Sequence, residues 1–261
     1  MPAGAVHPAA RGFDSSADAY ERGRPTYPRA AADELVARLG LAPGCSVVDV
    51  AAGTGKLTRS LVGRGLRVVA VEPSGPMRDQ LRAWAGSEVE VLHGVAEALP
   101  VPSGSVDALV AGQAFHWFDG QRALAEAHRV LRPGGGLGLL WNVRDRSVGW
   151  VDRLAEMTEP YRVGVPTYRD GRWRAAFEHT ALFTPIEHLR FPHEHEVDAA
   201  TLVDRMASIS WIANLPHGER EDLLARVRDL VAGLGDRFPV PYYTDLWWCR
   251  SLPDVPASRA G

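Results

Sequence analysis

Apolar runs alternate with helical patterns and small-residue turns over most of the chain. Apolar segments of strand length predict strands at residues 47–50, 66–71, 87–92, 106–112, 137–143, 184–197 and 237–251. Apolar positions with helical spacing predict helices at residues 30–39, 77–84, 121–131, 149–161, 172–178, 199–209 and 218–231. Strands that alternate with helices in this way are typical of an α/β fold with a largely parallel sheet.

The segment 47–61 predicts where such a sheet binds a ligand. A buried strand runs into the small-residue turn 51–55, and a helix is predicted to follow from Lys56. Gly53 and Gly55 have no Cβ, so the backbone is able to turn sharply and a flat ligand is able to approach it closely. Backbone N–H groups at the start of the helix suit a carboxylate or a phosphate.

The second predicted strand ends at the acidic residue Glu72, which favours a ligand that contains a ribose. Glu72 follows the glycine turn by about twenty positions, where a carboxylate accepts hydrogen bonds from ribose hydroxyls. The turn lacks the G-x-G-x-x-G pattern of NAD sites, and it lacks the spacing of a Walker loop. Asp49 to Glu72 therefore predicts a site for an adenosine-containing cofactor. A strand–turn–helix without any ligand is the alternative.

The residues from Asp49 to Gly55 resemble the acidic G-x-G-x-G motif of class I S-adenosylmethionine (SAM)-dependent methyltransferases. Ala51 departs from that motif, because the family usually has glycine there, and we expect alanine to fit if its φ stays negative. The resemblance implies SAM as cofactor and S-adenosylhomocysteine as product. It implies cofactor contacts from Asp49, Ala51, Gly53, Gly55, Glu72, Pro73 and Met77.

The leader Tyr20-…-Arg24-Pro-Thr-Tyr27-Pro is similar to that of small-molecule methyltransferases related to trans-aconitate methyltransferases. In that group the leader covers the cofactor. The resemblance implies that Arg24 meets the methionine carboxylate of SAM, that Tyr20 lines the reaction chamber as a catalytic residue, and that Tyr27 faces the substrate. A surface helix is the alternative for this leader.

Two further segments resemble the same subgroup. His93 to Pro100 is similar to the loop that wraps the adenine, which implies contacts from Ala96 and Glu97. The segment 113–119, Gln-Ala-Phe-His-Trp-Phe-Asp, follows the fourth predicted strand, so we expect it to face the transferred methyl group. The resemblance assigns Gln113 and Ala114 to the cofactor, Trp117 to the substrate and His116 to catalysis, either lining the site or acting as a general base.

Residues 145–235 contain no motif that transfers from the family. Their helices are predicted to roof the substrate pocket, with Trp211 as the substrate contact among several aromatic residues. Basic residues in or near this stretch would suit an acidic acceptor; they are Arg144, Arg146, Arg162 and Arg169. His193 and His195 share a strand face, but no third ligand lies at local spacing, so we expect no metal.

Composition excludes several classes of protein. The formal net charge is −3 and the isoelectric point is near 6.3, so nothing indicates a nucleic-acid or membrane-surface partner. Two cysteines, Cys45 and Cys249, are too few for a disulfide framework. No secretory signal pattern and no long apolar run are visible, and we expect a cytoplasmic protein.

We therefore predict a Rossmann-like class I methyltransferase with a seven-stranded sheet. The expected regions are a cap at 1–40, a SAM-binding core at 41–144, a substrate lid at 145–235, and a last strand and tail at 236–261. The expected reaction is methylation of a carboxylate or hydroxyl oxygen on a small molecule. Methylation of nitrogen or carbon on an aromatic secondary metabolite is one alternative, and an inactive SAM-binding regulator is another. Oligomeric state is open.

Overall fold

The computed structural model describes residues 23–253 of the 261-residue chain. Its strands are β1 Ser46–Val50, β2 Arg67–Val71, β3 Val89–Leu92, β4 Val106–Gly112, β5 Leu131–Arg144, β6 Glu187–Val197 and β7 Phe238–Arg250. Its helices are α1 Arg29–Arg38, α2 Thr58–Leu61, α3 Gly75–Ala85, α4 Gly120–Val130, α5 Gly149–Thr158, α6 Ala175–Glu178, α7 Ala199–Ala207, α8 Ser210–Ala213 and α9 His217–Val231. Short 3-10 turns cover Phe115–Trp117, Glu159–Tyr161, Tyr168–Asp170 and Arg172–Arg174.

The strands form one seven-stranded sheet in the order β3-β2-β1-β4-β5-β7-β6. Strands β1 to β5 run parallel, and β7 pairs antiparallel with both β5 and β6. The strand order reverses between β1 and β4, which is where an open parallel sheet leaves a crevice at its carboxyl edge. The predicted seven-stranded α/β fold is confirmed.

Apolar side chains pack on both faces of the sheet. In β1, Val47, Val48 and Val50 are at most 1% exposed, as expected of a parallel strand that is covered by helices on both sides. Helix α4 covers one face and α1 covers the other, each through a stripe of buried alanine and leucine. A separate apolar cluster joins α5, α7 and α9 to the start of β7.

Two predicted boundaries are wrong, and glycine explains each. The strand predicted at 137–143 begins at Leu131, because the N–H of Gly134 and the carbonyl of Gly135 pair with Ser251. A Cβ at Gly136 would come within 2.7 Å of Leu39, so the missing side chain lets α1 pack against this strand. The helix after β1 begins at Thr58 rather than at Lys56, because Gly55 has a left-handed φ of 86°.

The region predicted as a lid also supplies part of the sheet. Strand β6, within residues 145–235, forms the sheet edge beside β7, while the helices of this region form their own apolar cluster. No helix in residues 23–253 is both long and apolar enough to span a bilayer.

Candidate functional site

A cavity of about 590 Å³ opens at the carboxyl ends of the parallel strands, where the switch in strand order predicts a ligand. The structure brings most of the predicted site residues together along its wall. These residues are Arg24, Ala51, Gly53, Glu72, Pro73, Met77, Ala96, Glu97, Gln113, Ala114, His116, Trp117 and Trp211.

The turn after β1 is tied to Glu72 through backbone bonds. Gly53 donates its N–H to one carboxylate oxygen of Glu72 at 2.8 Å, and Ser74 donates its N–H to the other at 2.8 Å. Glu72 is only 5% exposed, yet it lines the cavity. The two strand ends are thereby locked together, and a carboxylate is presented beside a backbone that has no Cβ at Gly53.

Ala51 adopts a different backbone conformation from the one expected. Its φ is +53° rather than negative, so a residue with a Cβ occupies the left-handed region that favours glycine. The turn needs this conformation because Ala52 donates its N–H to the carbonyl of Val71 at 3.2 Å and Gly55 donates back to Ala52 at 2.9 Å. The position occupied by glycine in the family is therefore strained here.

Asp49 lies beneath the turn and does not line the cavity, which corrects its predicted role as a cofactor contact. It is fully buried, and the hydroxyl of Thr58 donates to its Oδ2 at 2.6 Å. Burial, with a smaller contribution from the charge of Glu72, raises the pKa of Asp49 to about 7. Asp49 joins β1 to α2, and its Oδ1 has no hydrogen-bond partner among the described residues.

Two more predicted residues lie elsewhere, and a third is not among the described residues. Gly55 faces Trp84, to which a Cβ would come within 2.6 Å, so it serves packing of the turn on α3. Tyr27 is buried and lines a smaller neighbouring cavity of about 20 Å³ together with Lys56. Tyr20 lies outside the described residues.

The segment after β4 enters the cavity with a strained backbone. Gln113 has a φ of +59°, and its amide nitrogen donates to the carbonyl of Asn142 at 3.0 Å. Ala51 and Gln113 are the only residues other than glycine with positive φ in the described chain. They follow the two strands that flank the switch point, and such strain is concentrated at functional sites in proteins. Sequence reasoning selected both residues but did not predict their conformation.

His116 lines the cavity and meets a buried tryptophan that sequence reasoning missed. The indole Nε1 of Trp141 donates to Nδ1 of His116 at 3.1 Å. Burial lowers the pKa of His116 to about 3. Asp170 raises this pKa by a smaller amount, and Arg24 lowers it. The ring is therefore neutral at pH 7, and a neutral ring whose Nδ1 is occupied is a poor general base.

The end of the cavity formed by β5 and the following residues is rich in arginine. The four arginines noted in the sequence all line it, and so does Arg205 of α7, which was missed; the set is Arg144, Arg146, Arg162, Arg169 and Arg205. Burial lowers the pKa of Arg144 to about 10, and three of these neighbours lower it further. The acidic residue that lines this end is Glu159, and it pairs with Arg146 at 2.8 Å.

Two lid residues carry buried donors without acceptors. Nε and Nη1 of Arg205 and Nε1 of Trp211 have no hydrogen-bond partner in the described part of the chain. A buried donor left unpaired costs about 1–3 kcal/mol, so these enclosed groups lower the stability of this part of the chain. Arg205 could not be selected from sequence, because a helical arginine usually points to solvent.

A network outside the predicted set holds the aromatic wall of the cavity. Asp245 of β7 is fully buried and accepts the Tyr168 hydroxyl at 2.8 Å, Nε of Arg190 at 2.7 Å and Nε2 of His188 at 2.8 Å. Trp247 donates its Nε1 to the Tyr168 oxygen at 3.1 Å. Tyr168 lines the cavity, and its hydroxyl is fully engaged.

The possible metal pair forms no cluster. Within residues 23–253, no group of three or more His, Cys, Asp or Glu side chains is arranged to hold a metal ion. His193 stacks on Tyr242, with the ring centroids 5.6 Å apart.

Known proteins resemble both the sequence and the fold. Residues 48–139 match the family described as a methyltransferase domain. Over 220 residues the chain is 44% identical to an uncharacterized methyltransferase of Mycobacterium tuberculosis, covering 84% of this chain and 85% of that relative. An uncharacterized methyltransferase-like protein of Schizosaccharomyces pombe is 31% identical over 219 residues, covering 84% and 85%.

A solved structure from Anaeromyxobacter dehalogenans, assigned as a type II methyltransferase, superposes with a TM-score of 0.65 at 26% identity. The match covers 88% of this chain and 99% of that one. The similarity to these relatives extends over more than four fifths of the chain. The chain belongs to the class I methyltransferase family, whose members generally use SAM as the methyl donor.

Proposed function

We propose that this methyltransferase transfers the methyl group of SAM to a carboxylate oxygen of a small organic acid. The observation that carries the proposal is the arginine-rich end of the cavity, where five arginines face one glutamate that is already paired. An anionic acceptor would offset this excess of positive charge.

The cofactor would lie against the turn after β1 and the carboxyl ends of β2 and β4, and the residues there fit it. Glu72 offers a carboxylate to ribose hydroxyls, Gly53 leaves room beside the turn, and Glu97 lies near the expected adenine position. Arg24 offers a guanidinium to the methionine carboxylate. When bound, SAM supplies a methyl group on a positively charged sulfur, which is the electrophile of the reaction.

A carboxylate acceptor needs no base. Its oxygen forms the new bond to the methyl carbon, the electron pair of the carbon–sulfur bond goes to sulfur, and no proton moves. The protein contributes alignment and exclusion of water. His116 is neutral and its Nδ1 is occupied, which agrees with an acceptor that arrives already ionised. A phenol or an amine would require a different group to take its proton.

The aromatic wall supports a second candidate, which is N- or C-methylation of an aromatic metabolite. Trp117, Phe118, Tyr168 and Trp211 line the same cavity. A flat acceptor could stack against such a wall. The charge of the arginines favours the acid, and an aromatic carboxylic acid would satisfy both features. Membership of the trans-aconitate-like subgroup, small-molecule specificity and a cytoplasmic location belong to the same proposal.

The test compares each acid with its primary amide, which has the same shape and no charge. The purified protein is incubated with SAM and a panel of small aliphatic and aromatic acids and amides, and products are identified by mass spectrometry. We expect methyl esters, recognised by methanol release in alkali, from acids alone. Efficient methylation of the amides, or of neutral phenols and amines in place of acids, would overturn the proposal.

Two variants connect the outcome to the site. Arg205→Met should raise the KM of the acid about 10- to 100-fold at saturating SAM, the loss expected for a hydrogen bond to a charged group. Saturating SAM is needed because Arg205 lies beside Arg24. Arg228→Met is the matched control, because Arg228 lies exposed on α9 outside the cavity. An equal effect of both substitutions would remove Arg205 from the acceptor site.

A further inference from the structure

The hydrogen bond between Trp141 and His116 restricts what His116 is able to do. An indole N–H only donates, so Nδ1 of His116 must accept and carries no proton. In a neutral imidazole the proton then resides on Nε2. The lone pair that a general base would use is occupied by Trp141.

The other ring nitrogen is available to a ligand. His116 lines the cavity, and residues 23–253 give its Nε2 no hydrogen-bond partner. This atom is also absent from the fully enclosed polar atoms that lack a partner, so solvent or a ligand reaches it. His116 thus presents an N–H donor to the cavity.

Trp141 is held rigidly enough to impose this arrangement. It is fully buried on β5 and stacks on Tyr168, with ring centroids 4.6 Å apart and an interplanar angle of 25°. The ring of Trp173 lies 4.7 Å away at an angle of 32°. Tyr168 is anchored in turn through its hydroxyl to the buried carboxylate of Asp245 at 2.8 Å. Rotation of the indole would therefore break a packed aromatic cluster.

We propose that Trp141 is a positioning residue that fixes His116 as the Nε2–H tautomer, so that His116 donates a hydrogen bond to an oxygen of the acceptor. A donor at this point orients a carboxylate through the oxygen that is not methylated. The assignment to an acceptor oxygen rests on the proposed function, whereas the tautomer does not.

The groups around His116 agree with a ring that does not titrate. Burial is the largest contribution to its low pKa, Asp170 raises the pKa, and Arg24 lowers it. The described neighbours in ring contact with His116 are Trp117 and Trp141, which carry no charge. Without the indole donor, Nδ1 would be free to bind a proton.

The tautomer is measurable without any acceptor. The full chain is labelled with ¹⁵N-histidine, and long-range ¹H–¹⁵N spectra are recorded between pH 5 and pH 9, where the two neutral tautomers give different nitrogen shifts. The His116 signals are assigned by their loss in His116→Gln. We expect a neutral Nε2–H ring over the whole range. A wild-type Nδ1–H ring, or one that titrates in this range, would overturn the proposal without any tryptophan variant.

Trp141→Phe removes the donor and keeps an aromatic ring. We expect a mixture of the two neutral tautomers, because the phenyl ring keeps His116 buried but no longer donates to Nδ1. Trp173→Phe is the matched control, since Trp173 belongs to the same cluster but donates to the backbone oxygen of Tyr168 at 3.2 Å. Unchanged His116 spectra in Trp141→Phe, or equal changes in both variants, would overturn the proposal.

Activity supplies a second readout once an acid acceptor is identified. Trp141→Phe should lower kcat/KM about tenfold at pH 7, while Trp173→Phe should keep the wild-type value. If acids are not methylated but the tautomer result holds, the proposed function fails and the positioning of His116 by Trp141 stands. If acids are methylated but His116 is not the Nε2–H tautomer, the proposed function stands and the positioning of His116 by Trp141 fails.

Discussion

The two ends of the cavity are built in different ways. At the end proposed for the cofactor, the bonds join residues close in sequence: Thr58 and Asp49 are nine positions apart, and Gly53 and Glu72 are 19 apart. At the end proposed for the acceptor, Tyr168 and Asp245 are 77 positions apart. The first end rests on one strand–turn–helix and its neighbour, whereas the second is assembled from distant elements that meet only in the folded chain.

This difference explains why one end is strained and the other is charged. The cofactor end uses backbone N–H groups and needs left-handed residues to aim them, as Ala51 does. The acceptor end uses side chains on β5, β7 and α7, and it gathers like charges around Arg144. A backbone site tolerates few substitutions and suits a constant ligand, while a side-chain site is open to change between relatives. We therefore expect substitutions at the two ends to have separable effects.

The largest effect is expected at the acceptor end, from Asp245→Asn. Burial alone would raise the pKa of Asp245, but hydrogen bonds from Arg190, Tyr168 and His188 outweigh it and hold the pKa below its ordinary value. Removing the charge leaves Arg190 without its carboxylate partner. The amide N–H groups of the new asparagine would also face the donors of Arg190, Tyr168 and His188. We expect the free energy of unfolding to fall by about 2–4 kcal/mol at pH 7, measured by denaturant titration.

The pH dependence gives the sign of this effect. A carboxyl with a depressed pKa stabilises the fold above its unfolded pKa near 3.9, and the stabilisation is lost as the pH falls through its folded value. The difference between the wild type and Asp245→Asn should therefore shrink below about pH 4. Asp222→Asn, at an exposed position on α9, is the control and should change little. A difference that does not depend on pH would exclude a charged Asp245.

The next effect separates the two ends through Glu72→Gln. The substitution replaces one carboxylate oxygen by an amide group. It therefore weakens the acceptor for ribose hydroxyls and one of the two hydrogen bonds that Glu72 accepts from the N–H groups of Gly53 and Ser74. We expect SAM affinity to fall about 10- to 100-fold by calorimetric titration, with the acceptor KM unchanged at saturating SAM. Glu90→Gln, at an exposed position on β3, should bind SAM as the wild type does. Equal losses for SAM and acceptor would show that the ends are coupled.

The contrast between local bonds and bonds that join distant segments also explains which features of the molecule could be predicted from the sequence. Strand positions, the glycine turn and most residues that line the cavity beside it follow from local apolar patterns and a resemblance confined to short motifs, and the sheet confirms the fold. The roles of Arg205, Trp141 and Asp245 could not be predicted, because each depends on contacts between segments far apart in sequence. Asp49 shows the limit within a motif: its position was predicted, but its burial beneath the turn required the structure.

The smallest effect tests strain at the cofactor end through Ala51→Gly. An alanine in the left-handed conformation costs about 1–2 kcal/mol, and glycine removes this cost. Glycine also raises the conformational entropy of the unfolded chain, which offsets part of the stabilisation. We therefore expect Ala51→Gly to raise the free energy of unfolding by about 0.5–1 kcal/mol in denaturant titration. Ala52→Gly is the matched control, because Ala52 has no positive φ and glycine there should destabilise the fold. Destabilisation by Ala51→Gly would mean that the Cβ of Ala51 contributes packing that exceeds its strain. Stabilisation with unchanged SAM affinity would show that the backbone strain at Ala51 lowers stability and is not needed for cofactor binding. The turn would then keep its shape through the hydrogen bond to Glu72.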